Sequence, residues 1–478
     1  MTVVTGVSCP VCGCLCDDIE VDVTDNRVIS VKNACAIGEA KFLNYAQHRA
    51  TTPLIKNGNS LIEASLEVAI QRSAEILVNS KYPIIYGWSN ASCEAVKKGI
   101  ALAEDVGGVI DNTSTICHGP SIMSIQDLGI SSCTLGQLRH RADLVIYWGS
   151  NPWSAHPRHI ERYTVFSEGR FQNSEWNDYV TKSSSIQSQK RLRRASDLIS
   201  KTGDSTISEV SHLPLTYPKM GRKLIVVDVR RTRSTDVADY FLQVEPGKDF
   251  ELLQALRLLI KYDELEVEEV AGVPVKLLED FADILIGCDF GIIFFGLGLT
   301  MSSGKNRNID AALSLVRDLN QRTKFLIMPM RGHFNVTGAN TVSTWQTGYP
   351  YAVDFSQGYP YYNPGETSVI DILRRGESDA SLIVASDPVA HFPKTAIQHL
   401  VKNPLIVVDP LETPTSLMAD VFIPSAFVGI EVEGTAYRMD HVPLPLKKVV
   451  DPPKGILSDE EILDKIIQRV HVLQEGGI

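Results

Sequence analysis

The chain has 478 residues, 44% of them hydrophobic, which is matter for about three domains with their own cores. No apolar run reaches the roughly 18 residues a membrane span requires, and Met1 to Cys9 holds neither a basic cluster nor the apolar stretch of a signal peptide, so a cytoplasmic protein is expected. The net charge of −11 argues against nucleic acid as the main partner, and the composition excludes collagenous, disordered and small disulfide-scaffold proteins.

Nine cysteines are present, and five of them, Cys9, Cys12, Cys14, Cys16 and Cys35, lie in the first 35 residues. A reducing compartment keeps thiols free, so such density there points to metal. The spacing Cys9-x2-Cys12-x3-Cys16, with Cys35 following alone, can place four thiolates around one centre. Zinc and a [4Fe-4S] cluster both accept four thiolates, but zinc knuckles usually show two Cys-x2-Cys pairs, so iron–sulfur is favoured. Cys14 reads as a bystander, with replacement of Cys12 or Cys16 by it left open.

Further along, 62–79 reads as an amphipathic helix, and Thr115 to Ser121 places Cys117 beside His118 ahead of Gly119-Pro120. A thiolate is a soft ligand for a transition metal, and an adjacent imidazole can move a proton at neutral pH; the competing reading is a buried cysteine in a turn. The apolar run 144–148 then ends in Gly149, Ser150, Asn151 and Pro152. Residues 168–222 are polar and Ser-rich, with the basic run 190–194, and read as a surface insertion. The run 224–227 ends in Asp228, followed by Arg230 and Thr232. A tight turn at Gly247 and Asp249 offers an acceptor for an amino group such as guanine's, although Asp249 also suits a helix cap for 249–262.

The run 290–295 leads into Gly296 and Gly298, which suit close approach by a phosphate or ring. Helix 307–321 and strand 325–328 follow, and Arg331 emerges from that strand end, where a guanidinium can grip a carboxylate bidentately. The run 382–385 ends in Ser386-Asp387-Pro388, and 405–408 ends in Asp409. A turn at Glu431, Gly434 and Thr435 precedes a last helix, 458–472, with Ser458 as N-cap and Glu461 three residues on.

Short apolar runs alternating with amphipathic stretches predict strands buried on both faces of parallel sheets, in doubly wound α/β layers with ligands at the carboxyl ends of the strands. An internal repeat is visible. Residues 224–239 and 405–420 are identical at eight of 16 positions, and each copy follows a strand ending in a polar-Pro loop. Two related halves would hold two related ligands, or two ends of one.

Together these pieces resemble the molybdopterin-dinucleotide oxidoreductases of the formate dehydrogenase and nitrate reductase type. The cysteine motif is similar to that family's [4Fe-4S] motif, and the loops at 149–152, 228–232, 246–249, 387–388 and 431–435 are similar to its cofactor-holding loops. Within it, Cys9 to Asp18 and Thr115 to Ser121 look most like the B subunits of formylmethanofuran dehydrogenases.

The resemblance implies a multi-domain α/β fold. A small [4Fe-4S] domain spans 1–52, a discontinuous α/β domain spans 53–136 and 333–478, and a second α/β domain spans 137–332. A C-terminal β-barrel domain is lacking, and a small partner subunit would supply it. Cys9, Cys12, Cys16 and Cys35 would hold the cluster. Cys117 would ligate tungsten or molybdenum together with two molybdopterin guanine dinucleotides, held by Gly149, Ser150, Asn151, Pro152, Asp228, Arg230, Thr232, Gly247, Asp249, Gly296, Gly298, Asp387, Gly434 and Thr435.

Cys117, His118 and Arg331 would form the catalytic set for reversible reduction of CO2 to formate. The formate would pass to a zinc-dependent amidohydrolase-like partner that joins it to methanofuran, and ferredoxin-type subunits would supply electrons. One departure stands out. Many relatives have Lys two residues after the fourth cysteine, where this chain has Ile37, with Lys41 one turn on. The alternatives are a stand-alone formate dehydrogenase or another molybdopterin oxidoreductase, and, from another class, a metal-free structural subunit of a formyltransferase/hydrolase complex.

Overall fold

The computed structural model describes residues 2–58, 60–169 and 222–476. The polar insertion expected at 168–222 lies outside the described residues over 170–221. The chain forms two compact units, Met1–Ile116 with Arg331–Ile478, and Cys117–Met330.

The second unit is built on a five-stranded sheet in the spatial order Tyr240–Gln243, Lys223–Asp228, Leu144–Trp148, Phe290–Phe295, Lys324–Pro329, every pair parallel. The expected apolar runs are these strands. All five residues of Leu144–Trp148 are buried, because helices cover both sheet faces and neither face meets water. Helices Asp249–Leu259 and Asn306–Leu319 pack against one another over one face.

The first unit contains a nine-stranded sheet. Its five central strands run parallel in the order Val109–Asn112, Pro83–Gly87, Ala380–Val384, Leu405–Val408, Val421–Ile423. Antiparallel strands extend it at both edges: Val353–Asp354 and Tyr361–Tyr362 on one side, Leu54–Asn57 and Ser60–Glu63 on the other. The last helix, Asp459–Glu475, opens with the expected capping box. Ser458 Oγ accepts from the Glu461 N–H at 3.2 Å, and Glu461 Oε2 accepts from the Ser458 N–H at 2.8 Å. Its buried face of Ile462, Leu463, Ile466, Ile467 and Val470 follows helical spacing, each side chain worth about 1.5–3 kcal/mol when fully buried.

The repeat is structural as well as sequential. In each unit a central strand pairs in parallel with the first strand of its copy: Leu144–Trp148 with Lys223–Asp228, and Ala380–Val384 with Leu405–Val408. The Leu224 N–H donates to Asp239 Oδ2 at 2.7 Å, and the Leu405 N–H donates to Asp420 Oδ2 at 2.9 Å. At the preceding strand ends Gly149 and Ala385 both adopt positive φ, 54° and 49°.

Three boundaries differ from expectation, the smallest being that Arg331 and Gly332, expected in the second α/β domain, fall in the first unit. Residues 117–136, expected in the first α/β domain, belong to the second unit. The reason is packing: helix Gly119–Leu128 lies on helix Asn306–Leu319, Ser124 Oγ donates to the Asn306 carbonyl at 3.0 Å, and the Ile327 N–H donates to the Ser131 carbonyl at 2.9 Å. The segment 1–52 is not a separate compact unit. Its three-stranded antiparallel sheet, Thr2–Val7, Ile19–Thr24 and Arg27–Lys32, belongs to the first unit, to which the Ala50 N–H is tied by the Pro410 carbonyl at 3.0 Å. Among the described residues no helix is long and apolar enough to cross a membrane.

Candidate active site

The four cysteines expected to act together are brought together. The turn between strands Thr2–Val7 and Ile19–Thr24 is closed by the Cys9 N–H on the Cys16 carbonyl at 2.9 Å and the Leu15 N–H on the Cys12 carbonyl at 3.0 Å. Cys35 reaches the same place as N-cap of helix Ala36–Asn44, its sulfur accepting from the Gly38 N–H at 3.4 Å. A Cβ on Gly38 would lie 3.1 Å from Cys9 Sγ and 3.8 Å from Cys35 Sγ, so a glycine is what lets the helix start approach both sulfurs.

Burial, and then the charges of Cys16, Cys12 and Cys35, push the Cys9 thiol well above its ordinary range. Cys9 and Cys16 are buried and Cys12 and Cys35 half-buried, none in a disulfide, and thiols gathered in this way are a donor set that a cationic centre would stabilise. Among the described residues no three His, Cys, Asp or Glu side chains form a site for a single metal ion. Cys9 and the three cysteines gathered around it match the donor number and type that a four-iron cluster takes. Cys14 bonds to Cys12 and lowers its pKa, as a neighbour rather than a fifth member of the group around Cys9.

On the same helix Lys41 faces a cavity of about 560 Å3 at the carboxyl ends of the parallel strands, lined among others by Asn90, Phe334, Asp409, Phe427 and Asp459. Burial lowers the Lys41 pKa, while the charges of Asp409, Cys9 and Glu431 oppose that shift. The charges of Asp409, Cys9 and Glu431 thus all favour the Lys41 ammonium. Ile37, two residues after Cys35, lines the same cavity and is 44% exposed. Asp409 is raised to about 7 by burial, and Asp459 to about 6. Glu431 is held by Arg49 at 2.8 Å, both buried. Lys41 is visible in the sequence as a departure, but sequence reasoning missed Asp409 and Asp459 as site residues. The repeat holds the signal for Asp409, since it aligns with Asp228.

Cys117 follows a rigid lead-in. Asp111, at the end of strand Val109–Asn112, accepts from the N–H groups of Asn112 at 2.8 Å, Val369 at 2.9 Å and Ala352 at 3.1 Å, and from the Thr115 side chain. Ser114 Oγ donates to Asn340 Oδ1 at 2.9 Å. Cys117 is half-buried and is the first residue of the second unit; His118 is buried, its Nδ1 3.3 Å from Ser121 Oγ and its ring edge-on to Phe295 at 6.4 Å. Arg331, the first residue after the chain returns to the first unit, is 5% exposed and helps burial pull His441 down to about 4.

Both polar-Pro loops expected to hold cofactor are braced alike. Ser234 Oγ donates to Asn151 Oδ1 at 2.6 Å, and in the other copy the Thr415 N–H donates to Asp387 Oδ1 at 3.0 Å. Ser150 and Pro152 are buried beside Asn151. The Arg230 N–H donates to Asp228 Oδ1 at 3.2 Å, Arg230 itself is exposed, and the Thr232 carbonyl accepts from the Thr235 N–H at 2.9 Å.

Gly298 donates its N–H to the Gly149 carbonyl at 3.0 Å, and Cβ atoms on Gly296 and Gly298 would meet Gly149 at 2.6 and 2.7 Å. These glycines serve close packing of two loops. Asp249 accepts from the Trp148 indole at 2.9 Å, an engagement that one oxygen already satisfies, and Gly247 turns at φ 80°. Gly434 and Thr435 begin a hairpin, with the Thr435 N–H on Glu94 Oε2 at 2.9 Å.

No protein-family model matches the chain. Over 471 residues it is 48% identical to the B subunit of the tungsten-containing formylmethanofuran dehydrogenase 2 of Methanocaldococcus jannaschii, covering 98% of each chain. The chain belongs to the family of formylmethanofuran dehydrogenase B subunits, which are oxidoreductases. Its relation to formate dehydrogenases is more distant: it is 22% identical to the alpha subunit of an F420-dependent formate dehydrogenase of the same organism, over 97% of this chain and 69% of that one. The fold is shared with a chain of the formyltransferase/hydrolase complex from Methylorubrum extorquens, with a TM-score of 0.65 and 20% identity over 89% of this chain and 100% of that one.

Proposed function

We propose that this chain is the redox subunit in which a tungsten or molybdenum centre, held by Cys117 and two pterin guanine dinucleotides, interconverts CO2 and formate. The observation that carries the reading is the continuous arrangement of Cys9, Lys41 and the acid-lined cavity. It offers a group of thiols, a half-buried cation close to one of them, and a cavity of about 560 Å3 that the cation lines.

When bound, the metal–pterin centre supplies the two-electron exchange and the [4Fe-4S] cluster relays single electrons to it. Cys9, Cys12, Cys16 and Cys35 would hold the cluster. Residues of the cavity at Asp409 would hold one dinucleotide, and the braced loops of the second unit, with Asn151 and Asp228, would hold the other. Arg331 grips the carboxylate oxygens of formate and offsets the charge that develops on CO2 as it is reduced. His118 holds the one proton exchanged per two electrons, its ring oriented by Ser121. Burial shields the Arg331 guanidinium and the His118 ring, each in its own unit, from bulk water.

The reading extends to partners. Formate would pass to a zinc-dependent amidohydrolase-like subunit, a small subunit would complete the cofactor site as a barrel domain, and ferredoxin-type subunits would bring electrons, in the cytoplasm. A metal-free structural role would leave four converging cysteines and Lys41 without purpose. The test is metal analysis of the complex purified without oxygen. Iron and either tungsten or molybdenum are expected, and Cys117→Ala is expected to lose the heavy metal and CO2 reduction while keeping iron. A complex free of both metals sinks the reading.

A further inference from the structure

A backbone ladder joins the cysteine turn to the arginine segment. The Gly13 N–H donates to the Gly332 carbonyl at 3.2 Å, and the Gly13 carbonyl accepts from the Met439 N–H at 2.9 Å. Cys12 and His333 pair beside it as an antiparallel bridge. Both backbone groups of Gly13 are therefore used, one toward the segment that begins at Arg331 and the other toward Met439.

The fit leaves no room for a side chain. A Cβ on Gly13 would lie 2.5 Å from the Arg331 carbonyl oxygen and 3.3 Å from Met439 Cε. The methionine end can swing aside, but the carbonyl is backbone and cannot yield without carrying Arg331 with it. Arg331 is 5% exposed, so its side chain has no open solvent through which to restore the guanidinium's place. Gly13 has no positive φ, so sterics alone demand glycine here.

We propose that Gly13 is a positioning residue for Arg331, the turn that holds the cluster also fixing where the guanidinium meets the carboxylate. The inference rests on the reading of Arg331 as the carboxylate-gripping group. The cysteine turn then has two tasks. It seats the cluster, and through Gly13 it sets the register of the substrate-binding arginine. Loss of the cluster loosens the turn and, with it, the arginine.

The experiment uses the whole complex, assayed for formate oxidation with a dye acceptor. Gly13→Ala is expected to raise the formate KM by about tenfold and to lower kcat with it, since Arg331 acts both on bound formate and on the charge that develops during the reaction. The cluster's EPR signature stays as in the unmodified complex. Arg331→Lys raises the formate KM as well, and the double variant is no worse than Arg331→Lys alone, because both changes act on one contact. An unchanged KM for Gly13→Ala with a normal cluster overturns the inference.

If Arg331→Lys leaves the KM unchanged, it is the carboxylate reading that fails. Hydrogen exchange at the Met439 amide then judges the ladder separately, and it serves equally if Gly13→Ala does not assemble. In the unmodified complex, chelation of iron is expected to speed exchange at Met439 and across 329–335. Equal protection before and after chelation overturns the coupling.

Discussion

The Lys41 ammonium lies 4.4 Å from the centre of the Phe427 ring, a cation–π contact on the wall of the cavity that Asp409 also lines. Phe427 itself is 5% exposed, its N–H held by Glu431 Oε2 at 2.8 Å, so the ring is a fixed platform for the cation. Replacing Lys41 by Met keeps the length and removes the charge. The expected outcome is a loss of about tenfold or more in turnover with CO2, about 1.4 kcal/mol, while chemical reduction of the cluster stays normal. Stopped-flow reduction of the cluster followed by CO2-dependent reoxidation separates the two steps. Unimpaired reoxidation would show that the cation has no part in the transfer.

Asp409 gives a pH prediction for the chain without cofactor. Its folded pKa, about 7, stands above the ordinary 3.8 because of burial, with Asp459 and Asp387 adding to the rise and Lys41 and the Leu411 N–H opposing it. Between about pH 4 and 7 the folded state keeps a proton that the unfolded state has released, so stability falls as pH rises through that window. The loss is on the order of 4 kcal/mol by pH 7, and Asp459 adds to it in the same direction. Asp409→Asn should flatten the fall. Denaturant unfolding of the cofactor-free protein at pH 5 and pH 7 measures it, and an equal slope in both variants refutes it.

Asp111 gathers three backbone N–H groups at the base of the loop that leads to Cys117. Asp111→Ala leaves them buried without an acceptor, each at a cost of about 1–3 kcal/mol. The variant is expected to melt several degrees lower and to hold less tungsten or molybdenum per chain, with iron unchanged. Full heavy-metal content in a destabilised protein would confine Asp111 to a structural part.

The neck of the insertion is pinned by one buried side chain. The Arg222 guanidinium donates to the carbonyls of Ala142 and Ser167, each at 2.9 Å, and to those of Thr164 and Arg139. Burial lowers its pKa to about 10, so it keeps its charge at neutral pH. Replacing 170–221 by a short Gly/Ser linker should leave the second unit folded, because Ser167 and Arg222 are already joined. Arg222→Ala should cost about 3 kcal/mol or more, since its bonds are charge-assisted. Calorimetry on both variants decides; a linker variant that fails to fold shows that the neck does not close by itself.

Much of the parallel core was legible because a strand buried on both faces must be apolar throughout. Leu405–Val408 and Phe290–Phe295 occupy the residues that their runs mark. The antiparallel edge strands were not legible. Val353–Asp354 and Tyr361–Tyr362 are two residues each, too short for any period to show. The place of 117–136 was misread because nothing local says which helix Gly119–Leu128 will cover; its packing on Asn306–Leu319 settles it.

By itself, the sequence determined the chemical inventory: four thiols with cluster spacing, a Cys-His pair, an arginine at a strand end, and a duplicated strand-loop unit. Those follow from residue type and short spacing, which local physics reads directly. Only the tertiary structure decided what each group faces. It put Lys41 beside Asp409 and Glu431, turned Asp249 to Trp148, spent Gly296 and Gly298 on Gly149, and laid Gly13 against Arg331 across more than 300 residues of chain. Such meetings depend on which elements stack and at what separation. That is set by the packing of whole layers, and no window of sequence contains it.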